Sequence, residues 1–210
     1  MARRLLSSRA RADLFGVPTD YEALVRRYLL SGDDVDLIRT RRRAENHLGL
    51  AVHISLLRYP GLGWGQDTMP PAELIAWLAE QLQISGCTLD DYAARRNTRH
   101  EHHALAMRHL GLAPFGPEHV QQAEDIATTA AFATDHGMKI VETLVAELRK
   151  QHLVLPSVDT LERLALKGRA HVVAWLSAFD QSSQHDRASG SLELSAIVGF
   201  AAKPWARPPP

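Results

Sequence analysis

The sequence predicts an all-α protein of two helical subdomains, the second holding a helix-turn-helix-like pair. Three observations carry this. Capping residues recur just ahead of apolar runs. Apolar residues return at intervals of three and four. The single strictly alternating stretch has no second strand to pair with. With 210 residues, 45% hydrophobic and 23% charged, the chain has ample material for a buried core.

The elements follow in order. Thr19 with Glu22 three residues on reads as a capping box for a helix over residues 21–30. Ser31 starts the next helix, and Asp33, Asp34 and Asp36 set carboxylates near its positive end. Leu48, Leu50, Val52, Ile54 and Leu56 alternate, which by period alone is a strand. Ala51, Leu57 and the lack of turn residues allow a buried helix instead, and the helical neighbours favour it. Residues 59–69 form a Gly-rich loop that is expected to divide an N-terminal subdomain, 1–60, from a second, 70–178. Pro70-Pro71 opens a helix carrying Leu74, Ile75, Trp77, Leu78 and Leu82 at helical spacing. Thr88 with Asp91 is read as the start of a basic helix, and Pro117 opens another. Ile140, Val141, Leu144, Val145 and Leu148 make one apolar stripe. That helix, a short connector through Pro156 and a helix capped by Asp159 with Glu162 form the helix-turn-helix candidate at about 137–176. Residues 180–210 turn Ser- and Pro-rich without amphipathic period and are expected to be a divergent, poorly ordered tail.

Composition excludes several classes. The one cysteine, Cys87, rules out an intramolecular disulfide. No run of about 18 apolar residues exists for a membrane span, and the start of the chain lacks a signal-peptide core. A soluble, cytoplasmic protein, nucleoid-associated if it binds DNA, is the expectation.

The formal net charge is zero, yet residues 92–115 carry Arg95, Arg96, Arg99, His100, His102, His103, Arg108 and His109 against a single acid, Glu101. Positive potential is therefore placed locally. Clustered guanidinium groups suit phosphate because each offers a fixed fork of donors. A solvated helix face is the bland alternative. A second cluster, Arg39, Arg41, Arg42 and Arg43, is followed by Asn46 and His47. On the last helix Arg163, Lys167 and Arg169 project from one broad face, with Leu161, Leu164 and Ala165 behind them. Backbone contacts to duplex DNA are expected from Arg41, Arg42, Arg43, Arg95, Arg96 and Arg99, with His100 beside them. Base-edge contacts are expected from Asn46, Arg163 and Lys167.

Catalytic patterns are missing. His100-Glu101-His102-His103 fails the His-Glu-x-x-His zinc pattern because residue 104 is Ala. A metal-dependent enzyme using His100, His102 and His103 stays open as a minor alternative. Gly61, Gly63 and Gly65 lack the Lys and Ser/Thr of a phosphate loop and read as a connector. Asp33, Asp34 and Asp36 share one turn and are better explained by capping than by two-metal chemistry. No cofactor is implied.

Taken together, the pieces resemble the N-terminal region of transposases of class II replicative transposons, the Tn-three family. They are Arg41-Arg-Arg43, Asn46-His-Leu-Gly-Leu-Ala-Val-His53, Leu57-Arg-Tyr-Pro-Gly61, Tyr92-Ala-Ala-Arg-Arg96, Leu110-Gly-Leu-Ala-Pro-Phe115, Leu144-Val-Ala-Glu-Leu-Arg149 and Thr160-Leu-Glu-Arg-Leu164. Their order and spacing hold over about residues 3–176. The resemblance implies a helical region that binds double-stranded DNA at the transposon's terminal inverted repeats. It also implies that the catalytic carboxylates lie in a separate domain much further along, so this chain is expected to be a non-catalytic, truncated copy. Beyond about residue 180 the resemblance is lost, as if by a frameshift. The rival is a regulatory or interaction fragment that associates with full-length transposase.

Overall fold

A computed structural model describes residues 5–65, 69–86, 89–90, 92 and 95–189, with side chains as far as 181. Among the described residues the architecture is all-α, with no strand. The helices are α1 (Ser8–Phe15), α2 (Tyr21–Tyr28), α3 (Gly32–Arg39), α4 (Ala44–Arg58), α5 (Ala72–Gln81), α6 (Arg96–His109), α7 (Val120–Ala133), α8 (Gly137–Lys150) and α9 (Val158–Ser189). A 3-10 turn, Pro117–His119, leads into α7. The chain divides into two compact units. The larger holds Ser8–Phe115 and Leu148–Pro156; the other holds Met1–Ser7, Gly116–Glu147 and Ser157–Pro210. The Gly-rich segment after α4 therefore lies inside one unit rather than between two.

The alternating segment is helix α4, and the reason is burial. Leu48 through Leu57 are all buried, so the helix has no polar face and no amphipathic period to read. Around it pack α3, α5 and α6, with Leu24, Tyr28, Leu74, Leu78 and Tyr92 in one continuous core. The Tyr92 ring lies against Gly49, where a Cβ would collide with the ring atoms.

Two helix starts differ from the expected ones, and a third falls outside the described residues. Asp20, not Thr19, caps α2 by accepting from the Ala23 N–H at 2.8 Å, since a carboxylate one residue later is the better N-cap. The basic helix begins at Arg96, with Arg95 at its cap position; Thr88 and Asp91 lie outside the described residues. Ser157, not Asp159, caps α9, accepting from the Thr160 N–H at 3.3 Å. Glu162 instead turns inward, where its carboxylate accepts from the Leu5 and Leu6 N–H groups. The Ser31 start of α3 holds, as a full capping box with Asp34.

Asp34 also ties three helices together. It is fully buried and accepts from Arg58 of α4 at 2.8 Å and from His109 of α6 at 2.7 Å. Burial alone raises its pKa, but hydrogen bonds from Arg58, Ser31 and His109 outweigh that and hold the carboxyl well below the usual range. In the second unit α9 packs on α7. Gly168 makes this possible, because a Cβ there would meet the Ala127 and Thr128 backbone. Helix α9 runs to Ser189, so the expected change at 180 is not a helix end.

Gly49→Ala normally favours a helix interior by about 1 kcal/mol. Here the added methyl has no space beneath Tyr92, and overpacking costs about 1–3 kcal/mol. The variant is expected to unfold at lower urea concentration than the parent. An unchanged or higher midpoint would show that Tyr92 does not sit on this helix.

Candidate nucleic-acid interface

The two basic segments of the larger unit meet at one acid. Glu45, in the first turn of α4, lies 3.9 Å from the Arg43 guanidinium and 3.4 Å from that of Arg95. The loop ahead of α4 and the start of α6 are thus brought together, and Arg41, Arg42, Arg43 and Arg96 are exposed around them. The loop is held in a particular shape. Asn46 Nδ2 donates to the Arg42 carbonyl at 2.8 Å, and His47 Nε2 lies 2.7 Å from the Arg41 carbonyl. Arg43 has φ 75°, a conformation uncommon for a residue with a side chain. Asn46 is therefore a loop-bracing residue here, its amide donor turned to its own backbone rather than outward to a base edge.

The first turn of α6 is electrostatically unusual. Its cap residue is Arg95, no side chain caps it, and its first turn holds no acid. Arg95, Arg96 and Arg99 thus crowd the positive end of the helix dipole, an arrangement that favours an anion. The three do not share one fate. Arg95 pairs with Glu45, Arg96 is exposed, and Arg99 turns inward. Arg99 donates to the Gly65 carbonyl at 2.8 Å, and its guanidinium lies 4.7 Å from the centre of the Trp64 ring. His100 is exposed next to it.

Behind this turn is a cavity of about 550 Å³, lined by His53, Trp64, Arg96, Arg99, His100 and His103 among others. Its walls are flat rings. Trp64 stacks on Tyr92 at 5.8 Å, and the His53 ring lies 5.4 Å from Trp64 and 5.6 Å from His103. Tyr92 Oη is 3.0 Å from His102 Nδ1. Among the described residues neither His53 nitrogen has a hydrogen-bond partner. Burial, with the charges of His103, His102 and Arg99, pushes the His53 imidazole down to about 3. His102 and His103 are also lowered by burial, helped by Arg41 and His100 respectively. The expected connector, Gly61 to Gly65, is pinned instead: Gly61 accepts from the Leu155 N–H at 2.9 Å, and Gly63 abuts His103. Sequence reading missed this site. The one local signal was His53, a polar residue inside the apolar run of α4.

Arg163 and Lys167 lie on α9, in the other unit. Arg163 is exposed. Lys167 is engaged by Glu124 of α7, so its charge is partly answered within the protein. Among the described residues no group of three His, Cys, Asp or Glu is placed to hold a metal ion. No helix among them is long and apolar enough to cross a membrane.

The family model described as a domain of unknown function, DUF4158, matches residues 5–168. The chain is 34% identical over 161 residues to the transposase for transposon Tn21 of Escherichia coli, covering 77% of this chain and 16% of that protein. It is 36% identical over 164 residues to the transposase for transposon Tn501 of Pseudomonas aeruginosa, covering 78% and 17%. The match to the transposase for transposon Tn2501 of Escherichia coli is 30% over 213 residues, covering 99% of this chain and 21% of that protein. The chain thus spans a sixth to a fifth of the length of these relatives. The last alignment extends past residue 180, where the first two cover 77% and 78% of the chain.

The lowered histidines set a pH dependence. A group with a depressed folded pKa contributes stability that is present above its unfolded value and lost as pH falls. For His53 the window opens near pH about 6.5 and closes near the folded value, and by pH about 5 the loss is on the order of 2 kcal/mol. Urea midpoints followed from neutral to acid pH are expected to fall over this range in the parent. In His53→Leu they are expected to fall less steeply. Equal slopes in the two proteins would remove His53 as the source.

Proposed function

Because the chain belongs to the DUF4158 family and matches the N-terminal region of Tn-three-family transposases, we propose that it binds duplex DNA at the terminal inverted repeats of a transposon. The observation that carries this reading is the meeting of two arginine-rich segments at Glu45 beside an uncapped, acid-free helix start. Arg41, Arg42, Arg43, Arg95 and Arg96 contact phosphates. Arg99 and His100 support them from the cavity side. Arg163 reads base edges from its own unit, with Lys167 beside it once released from Glu124. The helix-turn-helix character of the α8–α9 segment belongs to this proposal. So does the absence of strand-cleaving chemistry from this chain, which contributes recognition while the reaction is carried out elsewhere in the transposase.

About six neutralised phosphates give a slope near −5 in log affinity against log salt. The pair Arg95→Ala, Arg96→Ala is expected to weaken binding to repeat and scrambled duplexes alike and to bring that slope closer to zero by roughly 2. Fluorescence anisotropy titrations across a salt series measure both. Unaltered affinity and slope would mean that the start of α6 is not a DNA face.

A second reading, association with a transposase, is favoured by one feature. Helix α9 exposes Val173, Leu176 and Phe179, at 63%, 52% and 46%, spaced along one side. On this reading the purified chain self-associates or captures full-length transposase without DNA. Light scattering and a pull-down with Leu176→Asp as the control test it. A monomer that captures nothing rejects it.

A further inference from the structure

The cavity behind the first turn of α6 is too confined for a double helix, yet it is built from the side chains that recognise a nucleotide. Its size is that of a small-ligand site. One wall carries Trp64 with the Arg99 guanidinium over the indole, and the buried Tyr92 ring stacks on Trp64 from outside the lining. Nucleobases stack on guanidinium planes and aromatic rings alike. The rim carries Arg96 and His100 beside helix N–H groups that no side chain caps, with Glu101 the one acid among the described lining residues. The floor is His53, 2% exposed, whose two ring nitrogens have no hydrogen-bond partner among the described residues. A neutral imidazole offers one donor and one acceptor, and a base edge offers the complement of both. A bare phosphate offers acceptors only.

We propose that this cavity receives one unpaired nucleotide of the bound DNA, its base continuing the Tyr92–Trp64–Arg99 pile above His53 and its phosphate at Arg96 and His100. The proposal rests on the DNA-binding reading above, and it adds a ligand that duplex contacts alone do not explain. Extruding a base from a duplex costs a few kcal/mol, least where the base is already unpaired. The site therefore selects bulged, frayed or nicked DNA over a perfect duplex. Arg99 is the pivot, since it holds the loop through Gly65 and also presents the stacking plane.

The test compares three ligands on the full chain: a blunt duplex, the same duplex with one unpaired 2-aminopurine nucleotide, and free deoxyadenosine monophosphate. The bulged duplex is expected to bind about tenfold tighter than the blunt one, the effect of one stacked base, with 2-aminopurine fluorescence quenched on binding. Trp64→Leu is expected to abolish the gain and the quenching. Because Trp64 also packs on Tyr92, His53→Leu serves as a second variant and is expected to reduce the gain several-fold while keeping blunt-duplex affinity. If the blunt duplex binds and the bulged one binds no tighter and unquenched, the cavity proposal is overturned and the duplex reading stands. Quenched binding of the bulged duplex without binding of the blunt one supports the cavity and removes the duplex reading. Free nucleotide binding as tightly as the bulged duplex overturns a DNA-borne ligand. Binding of none of the three removes both readings.

Discussion

Helix α4 is enclosed on every side, and the rest of the larger unit follows from that. A helix with ten consecutive buried residues has no solvent face, so its neighbours must surround it. Three of its residues then act as fixed points for other elements. Gly49 admits Tyr92 to the backbone, His53 packs beside Trp64 and His103, and Arg58 reaches the buried carboxylate of Asp34. Its two ends carry the remaining polar duties: Glu45 faces the arginines at the start, and Tyr59 takes the Arg27 guanidinium at the end.

Charge in this protein is divided by bonding partner more than by sequence position. Arg58 and Arg149 carry structural bonds: the first to Asp34, the second to the Pro60 carbonyl, with burial lowering its pKa. His109, on the same basic helix as Arg96, is drawn to Asp34. Asp34 alone is fully buried, and removing Arg58 or His109 leaves its carboxylate short of a partner, so these positions answer to folding before they answer to a ligand. Arg41, Arg42, Arg43 and Arg96 are exposed, and exposed pairs such as Arg43 with Glu45 contribute little, about 0–1 kcal/mol. A polyanion can therefore displace Glu45 from its arginines at small cost. The same exchange is out of reach for Asp34.

Much of the fold was legible in the sequence because caps and apolar spacing are local. The Ser31 box, the Pro71 start and the stripe from Ile140 to Leu148 each need only a few neighbouring residues to read. The Thr19 and Asp159 caps went wrong by one or two positions, where a competing cap, Asp20 or Ser157, lay next door. What sequence alone could not give is pairing across distance. Glu45 lies about 50 positions from Arg95, and only the fold brings them together. Asn46, a good base reader by type, donates one amide N–H to the Arg42 carbonyl. The cavity was illegible because Trp64, Tyr92 and His103 come from three separate segments, and Gly63 reads as a hinge until His103 is seen against it.

The start of α6 is where folding and function pull apart most clearly. Cationic side chains at a helix N-terminus are disfavoured by roughly 0.3–1 kcal/mol each, and here three arginines stand within its first turn or at its cap with no acid in that turn. Glu45 answers Arg95 from another helix, and the Gly65 carbonyl answers Arg99. Arg96 is exposed. A stability-driven sequence places Asp, Ser or Glu at such positions. The arrangement is coherent once a phosphate occupies the end of the helix, since the N–H groups, the dipole and the guanidinium groups then act on one charge in the same direction. Arg96 and Arg99 lie three residues apart and both line the cavity, Arg96 exposed and Arg99 half-buried, so a single turn can meet a phosphate at its exposed edge and an extruded base further in.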